Sequence, residues 1–441
     1  MSDGGKNTEY AMGNGGKGPE YAMSDGERIT QTARDMHGGA WMEQITYILG
    51  NARTLEAMAG ECPWPVFAEE TMDFLDQLSR RIRSSGKAKA YPELLSFGFW
   101  CRRQHLAREK DQYQAREPEA VRVGRGFSLH IVPSNIPLMF AYSMASALLA
   151  GNMAAVRLPA RTSPQEQALV ELLEAAAKGT AWEARIVLIR YGHQKEITDR
   201  LSALCDLRIL WGGNASLTEL RKSPVRGGTM DLAFGDRRSA AVLDGAALLA
   251  LEEGELQLLA QRFYGDTYLY DQNACASPAL VYWQGSKDMV KAAQKRFWQA
   301  VGSVARERYE LSGNTALQKW EKALKLAAAC PGIRVEHQEN YVLRIQLEDL
   351  TEHVWDHTMY GGFFLECSGE SLEGLRPALG RRCQTLACFG LRPGVLARRI
   401  AAWGVKGVDR IVSVGRALDF ELYWDGMDLI GMMSRRIYSC E

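Results

Sequence analysis

The chain has 441 residues, 46% of them apolar and 24% charged, with 53 basic and 53 acidic side chains. That length carries two or three domains with full cores, and a formal net charge of zero removes the electrostatic case for nucleic acid or an anionic membrane as the main partner. No apolar run reaches the roughly 20 residues of a membrane span; the longest, 136–150, is interrupted by Ser143 and Ser146 and ends in Gly151-Asn152.

Nine cysteines, an odd number at scattered positions with no Cys-x-x-Cys, argue against a disulfide frame and a zinc ribbon. They fit a reducing cytosol. The N-terminus is polar and Gly-rich rather than apolar, so no signal peptide is expected and the expected location is cytoplasmic.

Residues 1–26 hold a short repeat: Gly4-Gly5-Lys6 recurs as Gly15-Gly16-Lys17, and Glu9-Tyr10-Ala11-Met12 as Glu20-Tyr21-Ala22-Met23. Such a stretch is expected to be a disordered leader. From about 40 to 110 the apolar spacing is helical, as in Met72 to Ser79, and Pro92 stands where a helix opens. A charged linker over 108–122 follows. The period then changes. Strands are expected at 127–132, 153–158, 185–189, 207–210 and 240–243, with helices at 140–150, 165–177 and 196–204 between them. This alternation reads as a parallel sheet covered by helices, which takes ligands at the strand carboxyl ends where the strand order reverses. From about 244 the order repeats in weaker form, with helices at 246–262, 287–301 and 315–329 and strands at 280–283, 341–347 and 362–366. The last residues are expected to fold back or to pair with another subunit.

Four stretches bear on chemistry. Gln272-Asn273-Ala274-Cys275-Ala276-Ser277-Pro278 sets one cysteine among small residues that leave room for a carbonyl to reach sulfur; a buried structural cysteine is the plainer reading. Val132-Pro133-Ser134-Asn135-Ile136-Pro137 fixes a turn with Asn135 at its tip. That amide either donates to an oxyanion or caps the turn. Gly212-Gly213 follows a strand and precedes a helix, so its backbone either approaches a phosphate or makes a tight turn. Arg157 and Arg161 flank a strand end, as ribose or phosphate contacts or as solvated charge. The third glycine of a dinucleotide fingerprint is missing after Gly124-Arg125-Gly126. His353 and His357 share helical spacing, but no further ligand completes a metal set, so no metal is expected. Cys383 and Cys388 are read as packing residues.

Taken in order, His130 to Pro137, Leu148-Leu149-Ala150-Gly151-Asn152, Trp211-Gly212-Gly213, Gln272 to Pro278, and Ala417-Leu418-Asp419-Phe420 with Trp424-Asp425-Gly426 resemble the aldehyde dehydrogenase superfamily. Within it they resemble the LuxC-like acyl-CoA reductases, over about Tyr91 to Arg435. The resemblance implies an α/β, aldehyde dehydrogenase-like fold. Its expected parts are a helical N-terminal part with a Rossmann-like cofactor domain over 27–243, a catalytic α/β domain over 244–415 and a short oligomerisation segment over 416–441. It implies Cys275 as nucleophile and Asn135 as oxyanion amide. Gly212 and Gly213 would form the cofactor-phosphate turn, with Arg157 where the superfamily usually has a ribose-binding lysine. No acid follows Arg157; Ala160 and Arg161 stand there, which favours NADPH, with NADH as the alternative. The general-base glutamate of hydrolytic members falls at Phe234, in Phe234-Gly235-Asp236-Arg237-Arg238-Ser239. The implied activity is NADPH-dependent reduction of an acyl-CoA or carrier-bound acyl thioester to the aldehyde through an acyl-cysteine. The family context adds an acyl-protein synthetase as a partner and a homo-oligomer. Two alternatives stand beside it: an NAD(P)-dependent aldehyde dehydrogenase making free acid, and a non-catalytic acyl-accepting scaffold.

Overall fold

The computed structural model describes residues 41–330 and 332–439; the repeat over 1–26 lies outside them. The first sheet takes β1 (Thr46–Leu49), while β2 (Val121–Gly124) belongs to a separate small pair. After these come β3 (Phe127–Ile131), β4 (Met153–Arg157), β5 (Ile186–Arg190), β6 (Leu207–Trp211) and β7 (Met230–Phe234). The strand order is β1-β5-β4-β3-β6-β7, and only β1 runs antiparallel to its neighbour. β3 and β6 are buried along their whole length, because helices cover both faces of a parallel sheet and no solvent-facing alternation survives. Side chains still alternate between two cores. Phe127, Leu129, Met153, Ala155, Val187 and Ile189 face one; Ala154, Val156, Ile186, Leu188, Leu207 and Ile209 face the other.

The second sheet contains β8 (Arg238–Asp244), β9 (Pro278–Gln284), β10 (Arg334–Gln338), β11 (Val342–Gln346), β12 (Phe363–Gly369), β13 (Cys383–Phe389) and β14 (Arg410–Ser413). Its order is β10-β11-β12-β9-β8-β13-β14, parallel except for the β10–β11 hairpin. The strand expected at 240–243 as the last of the first sheet therefore stands in the second, between β9 and β13. The unread strand β7 closes the first sheet instead. Its residues alternate between partial and full burial, so it lacks the continuous apolar run that marks its neighbours.

The expected charged linker is also different: Arg103–Arg116 is a helix. Only Leu106 and Tyr113 are buried on it, so its apolar period is faint. Arg103 and Lys110 tie it to Glu69 and Asp73 on an earlier helix, Glu69–Ser84. The helix expected over 246–262 is two, Gly245–Leu249 and Glu253–Thr267, the second opened by a Glu252/Glu255 capping box. The C-terminal segment folds back. β15 (Tyr423–Trp424) and β16 (Met427–Asp428) form a small hairpin, and β17 (Ser434–Ile437) pairs antiparallel with β2. Leu429, Ile430 and Met433 join the core of the first sheet. No helix among the described residues is long and apolar enough to cross a membrane.

Candidate active site

The Cys275 loop joins the helix Glu253–Thr267 to β9. Asp271 and Gln272 turn it with φ of 52° and 62°, a conformation that costs non-glycine residues of order 1 kcal/mol or more each. Gln272 offsets that strain with a fully used side chain. Its Nε2 donates to Pro278 O (2.9 Å) and Phe363 O (3.0 Å), and its Oε1 accepts from Gly362 N (3.0 Å) and Phe363 N (3.2 Å). The loop is thus anchored to the starts of β9 and β12. Ser239, the second residue of β8, donates its hydroxyl to Cys275 O at 2.8 Å and accepts from Thr385 N at 3.1 Å.

Cys275 is partly buried. Its backbone N–H has no acceptor among the described residues. Burial pushes the thiol up to about 11, and Asp425 adds to the rise; the Gln384 amide, the Ala276 N–H and Arg237 pull the other way. The resting side chain is therefore a thiol at neutral pH.

Asn135 lies in the loop after β3, exposed, with Nδ2 donating to Asn273 O at 3.2 Å. The amide from the first sheet thus reaches the loop that carries the sulfur of the second. A primary amide has two N–H donors, so Asn135 keeps one unbonded, and Cys275 N–H is unbonded in the loop that Asn135 meets.

The crevice of the first sheet opens where the strand order reverses, with β4 on one side of β3 and β6 on the other. Gly212 follows β6, donating its N–H to Phe234 O at 3.1 Å, and Gly213 caps the helix Asn214–Leu220. Gly213 has φ of −66°, and a side chain there would meet nothing within 4 Å. Neither backbone strain nor packing requires glycine at that position, so the space above it is open to a ligand. This fits a nicotinamide dinucleotide whose phosphates approach the backbone. Arg157, at the end of β4, is already engaged: Nη2 donates to Tyr191 O (3.3 Å) and Gly192 O (2.9 Å), and the guanidinium lies 4.6 Å from the Tyr191 ring. Arg161 is exposed and takes no ion-pair partner among the described residues.

Phe234 is buried with its ring stacked on Trp211, centroids 3.8 Å apart; it offers no atom that takes a proton. The nearby carboxylate of Asp236 is paired with Arg238 at 2.7 Å. His353 and His357 lie on the short 3-10 segment Glu352–His357, and the described residues contain no group of three His, Cys, Asp or Glu able to hold a metal.

From Cys275 a cavity of about 1040 Å³ extends between the helix Arg103–Arg116 and the segment 415–424. Its inner wall includes Ile136, Met139, Tyr142, Phe420 and Trp424. Asp266 braces the outer wall by accepting from Gly415 N (2.6 Å) and Ala417 N (2.8 Å); burial pushes its carboxyl up to about 7. Two further side chains meet the sulfur's surroundings: Gln384, whose Nε2 is 3.3 Å from Cys275 Sγ, and Asp425, which the Gln384 amide also reaches. Asp425 lay within a quoted motif, but Gln384 sits in a buried strand and carries no local signal.

Two parallel sheets, a crevice at the reversal point of the first and a cysteine loop of the second meeting an amide from the first define an aldehyde dehydrogenase fold. Lactaldehyde dehydrogenase from Escherichia coli superposes with a TM-score of 0.57 at 14% identity, over 87% of this chain and 88% of its own. NADP-dependent glyceraldehyde-3-phosphate dehydrogenase from Bacillus halodurans, complexed with NADP, gives 0.54 at 14% identity, over 94% and 90%. Within that fold the chain belongs to the acyl-CoA reductase (LuxC) family, whose model matches residues 103–436. It is 24% identical over 258 residues to the long-chain acyl-protein thioester reductase of Vibrio harveyi. That alignment spans 53% of this chain and 52% of the relative.

Proposed function

We propose that this protein reduces an acyl thioester to the aldehyde with NADPH, through an acyl group held on Cys275. The observation that carries the reading is the contact of Asn135 with the Cys275 loop, which brings an amide donor to the loop whose Cys275 N–H is unbonded. The thiol gives its proton to solvent, and the thiolate sulfur attacks the thioester carbon. A C–S bond forms and the carbonyl electrons move to oxygen. Asn135 Nδ2 and Cys275 N–H stabilise that oxyanion, a contribution of about 3 kcal/mol per donor in such sites. Collapse breaks the bond to the carrier sulfur, which leaves with the bonding pair and takes a proton from solvent. NADPH, when bound, supplies the hydride. The resulting thiohemiacetal on Cys275 releases aldehyde and regenerates the thiol.

The chain's own residues do positioning and exclusion. Gly212 and Gly213 give the backbone approach for the pyrophosphate. Arg161, exposed and without an acid beside it, favours a 2′-phosphate, and Arg157 forms the adjoining wall. Phe234 stands where a hydrolytic enzyme carries its base, so water is not activated against the thioester. The acyl chain occupies the aromatic-walled cavity. The donor is an acyl-CoA or an acyl group presented by a protein, as the name of the Vibrio relative suggests, with an acyl-protein synthetase as the corresponding partner.

The test is Cys275→Ala with thioester-dependent NADPH oxidation as readout. Turnover is expected to fall by at least a thousandfold, in keeping with loss of a covalent nucleophile. Near-normal turnover sinks the assignment.

A further inference from the structure

The sulfur of Cys275 sits at one end of a chain of polar side chains drawn from four separate segments, buried at Gln384 and partly buried at Asp425 and Arg237. Gln384 on β13 is 2% exposed. Its Nε2 donates to Cys275 Sγ at 3.3 Å and to Asp425 Oδ1. Thr385 Oγ1 donates to Gln384 Oε1 at 3.4 Å. A carboxylate only accepts hydrogen bonds and a hydroxyl can give one, so these neighbours fix which way the amide faces: both Nε2 hydrogens are directed at Asp425 and at sulfur. Asp425 is held in turn. It occupies the β15–β16 turn with φ of 50°, and Arg237 Nη1 lies 3.4 Å from its Oδ1. Arg237 also pairs with Asp409 and donates from Nη2 to Cys383 O at 2.6 Å. Asp409 N donates to Gln384 O at 2.9 Å.

We propose that Gln384 is a catalytic residue that donates a hydrogen bond to the Cys275 thiolate, and that Asp425 is a positioning residue that fixes the Gln384 amide for that task. The proposal rests on Cys275 as nucleophile. A donor at sulfur is worth most when sulfur is anionic, since hydrogen bonds to charged groups are about twice as strong as neutral ones. That condition arises twice in the reaction: before attack on the thioester, and when the thiohemiacetal collapses and sulfur leaves with the bonding pair. In the acyl-enzyme the sulfur is neutral and the bond weakens, so the donor favours the two charged stages over the resting thioester. Asp425 acts in two opposite senses. Its charge disfavours the thiolate directly, and its grip on Gln384 favours it. Arg237 and Asp409 are the other charged groups in contact with this set.

The test is the pH dependence of iodoacetamide alkylation, read by mass spectrometry on the Cys275 peptide because Cys62 is exposed and also reacts. Gln384→Met keeps the length of the side chain and removes the donor. It is expected to slow alkylation at pH 8 about tenfold and to raise the midpoint by about one unit, the size of a hydrogen bond to a charged group. The kcat for the acyl thioester falls by a similar factor with KM within about twofold. Gln384→Glu, which adds a carboxylate beside sulfur, raises the midpoint further, and it provides the same reading should the methionine variant fold poorly. A midpoint in either variant equal to that of the wild type overturns the role of Gln384. For Asp425, the variant Asp425→Asn is made in both backgrounds. With Gln384 replaced by Met only the charge effect remains and the midpoint drops; with Gln384 present the drop is smaller, because the amide is released at the same time. Equal drops in the two backgrounds overturn the positioning role. Alkylation needs no substrate, so failure here is separate from retention of turnover in Cys275→Ala, which would remove the proposed function itself.

Discussion

Beyond the ends of β6 and β4, Gly213 and Arg161 stand clear of packing. A side chain at Gly213 would touch nothing, and Arg161 points its charge at solvent. The cavity at Cys275 is walled by side chains from the helix Arg103–Arg116, the Asn135 loop, the Cys275 loop and the segment 415–424. The first surface is made of backbone at the ends of neighbouring strands. The second is made of side chains brought together by packing. A ligand that carries its own rigid, charged shape needs only the first kind of surface. A reacting acyl group, whose charge appears and disappears at one oxygen and one sulfur, needs the second.

The largest effect should come from the residue that joins the two sides. Asn135→Ala removes one oxyanion donor and is expected to lower kcat about a hundredfold, with thioester KM little changed; steady-state NADPH oxidation checks it. A loss of twofold or less would place Asn135 with the turn alone. Next is the open side. Arg161→Glu is expected to cut the preference for NADPH over NADH by about tenfold, the scale of reversing one charge against a phosphate, and to leave the thermal midpoint unchanged. The measurement is kcat/KM with each cofactor; an unchanged ratio removes Arg161 from the 2′-phosphate site. The smallest effect falls on the walled side. In Asp266→Asn one of the two backbone donors, Gly415 N or Ala417 N, faces an NH₂ instead of an acceptor. Leaving a buried donor unsatisfied costs about 1–3 kcal/mol, which urea unfolding reads directly. An Asp266→Asn protein as stable as wild type would show that this wall is not held from Asp266.

The central strands of the first sheet, β3 to β6, were legible because each buries a short apolar run, whereas β1, an edge strand with no fully buried residue, fell in a stretch read as helical. Ile186–Arg190 and Leu207–Trp211 lie within one residue of where the pattern put them. β7 and the helix Arg103–Arg116 were not, since one alternates weakly and the other buries only Leu106 and Tyr113. At the site, Cys275, Asn135 and the Gly212 turn stood in stretches whose small residues, prolines and glycines mark unusual backbone. Gln384 could not be read that way. Its function depends on β13 lying beside β8, so that it meets a cysteine 109 positions earlier and an aspartate 41 positions later. No local pattern encodes that meeting.

Arg237 stands in Gly235–Arg237, the short crossing from β7 to β8 that joins the two sheets. Through Asp409, Asp425 and the Cys383 carbonyl it ties that crossing to the residues around sulfur. The guanidinium that contacts Asp425, and through it the amide at Cys275 Sγ, therefore sits on the chain segment that both sheets share.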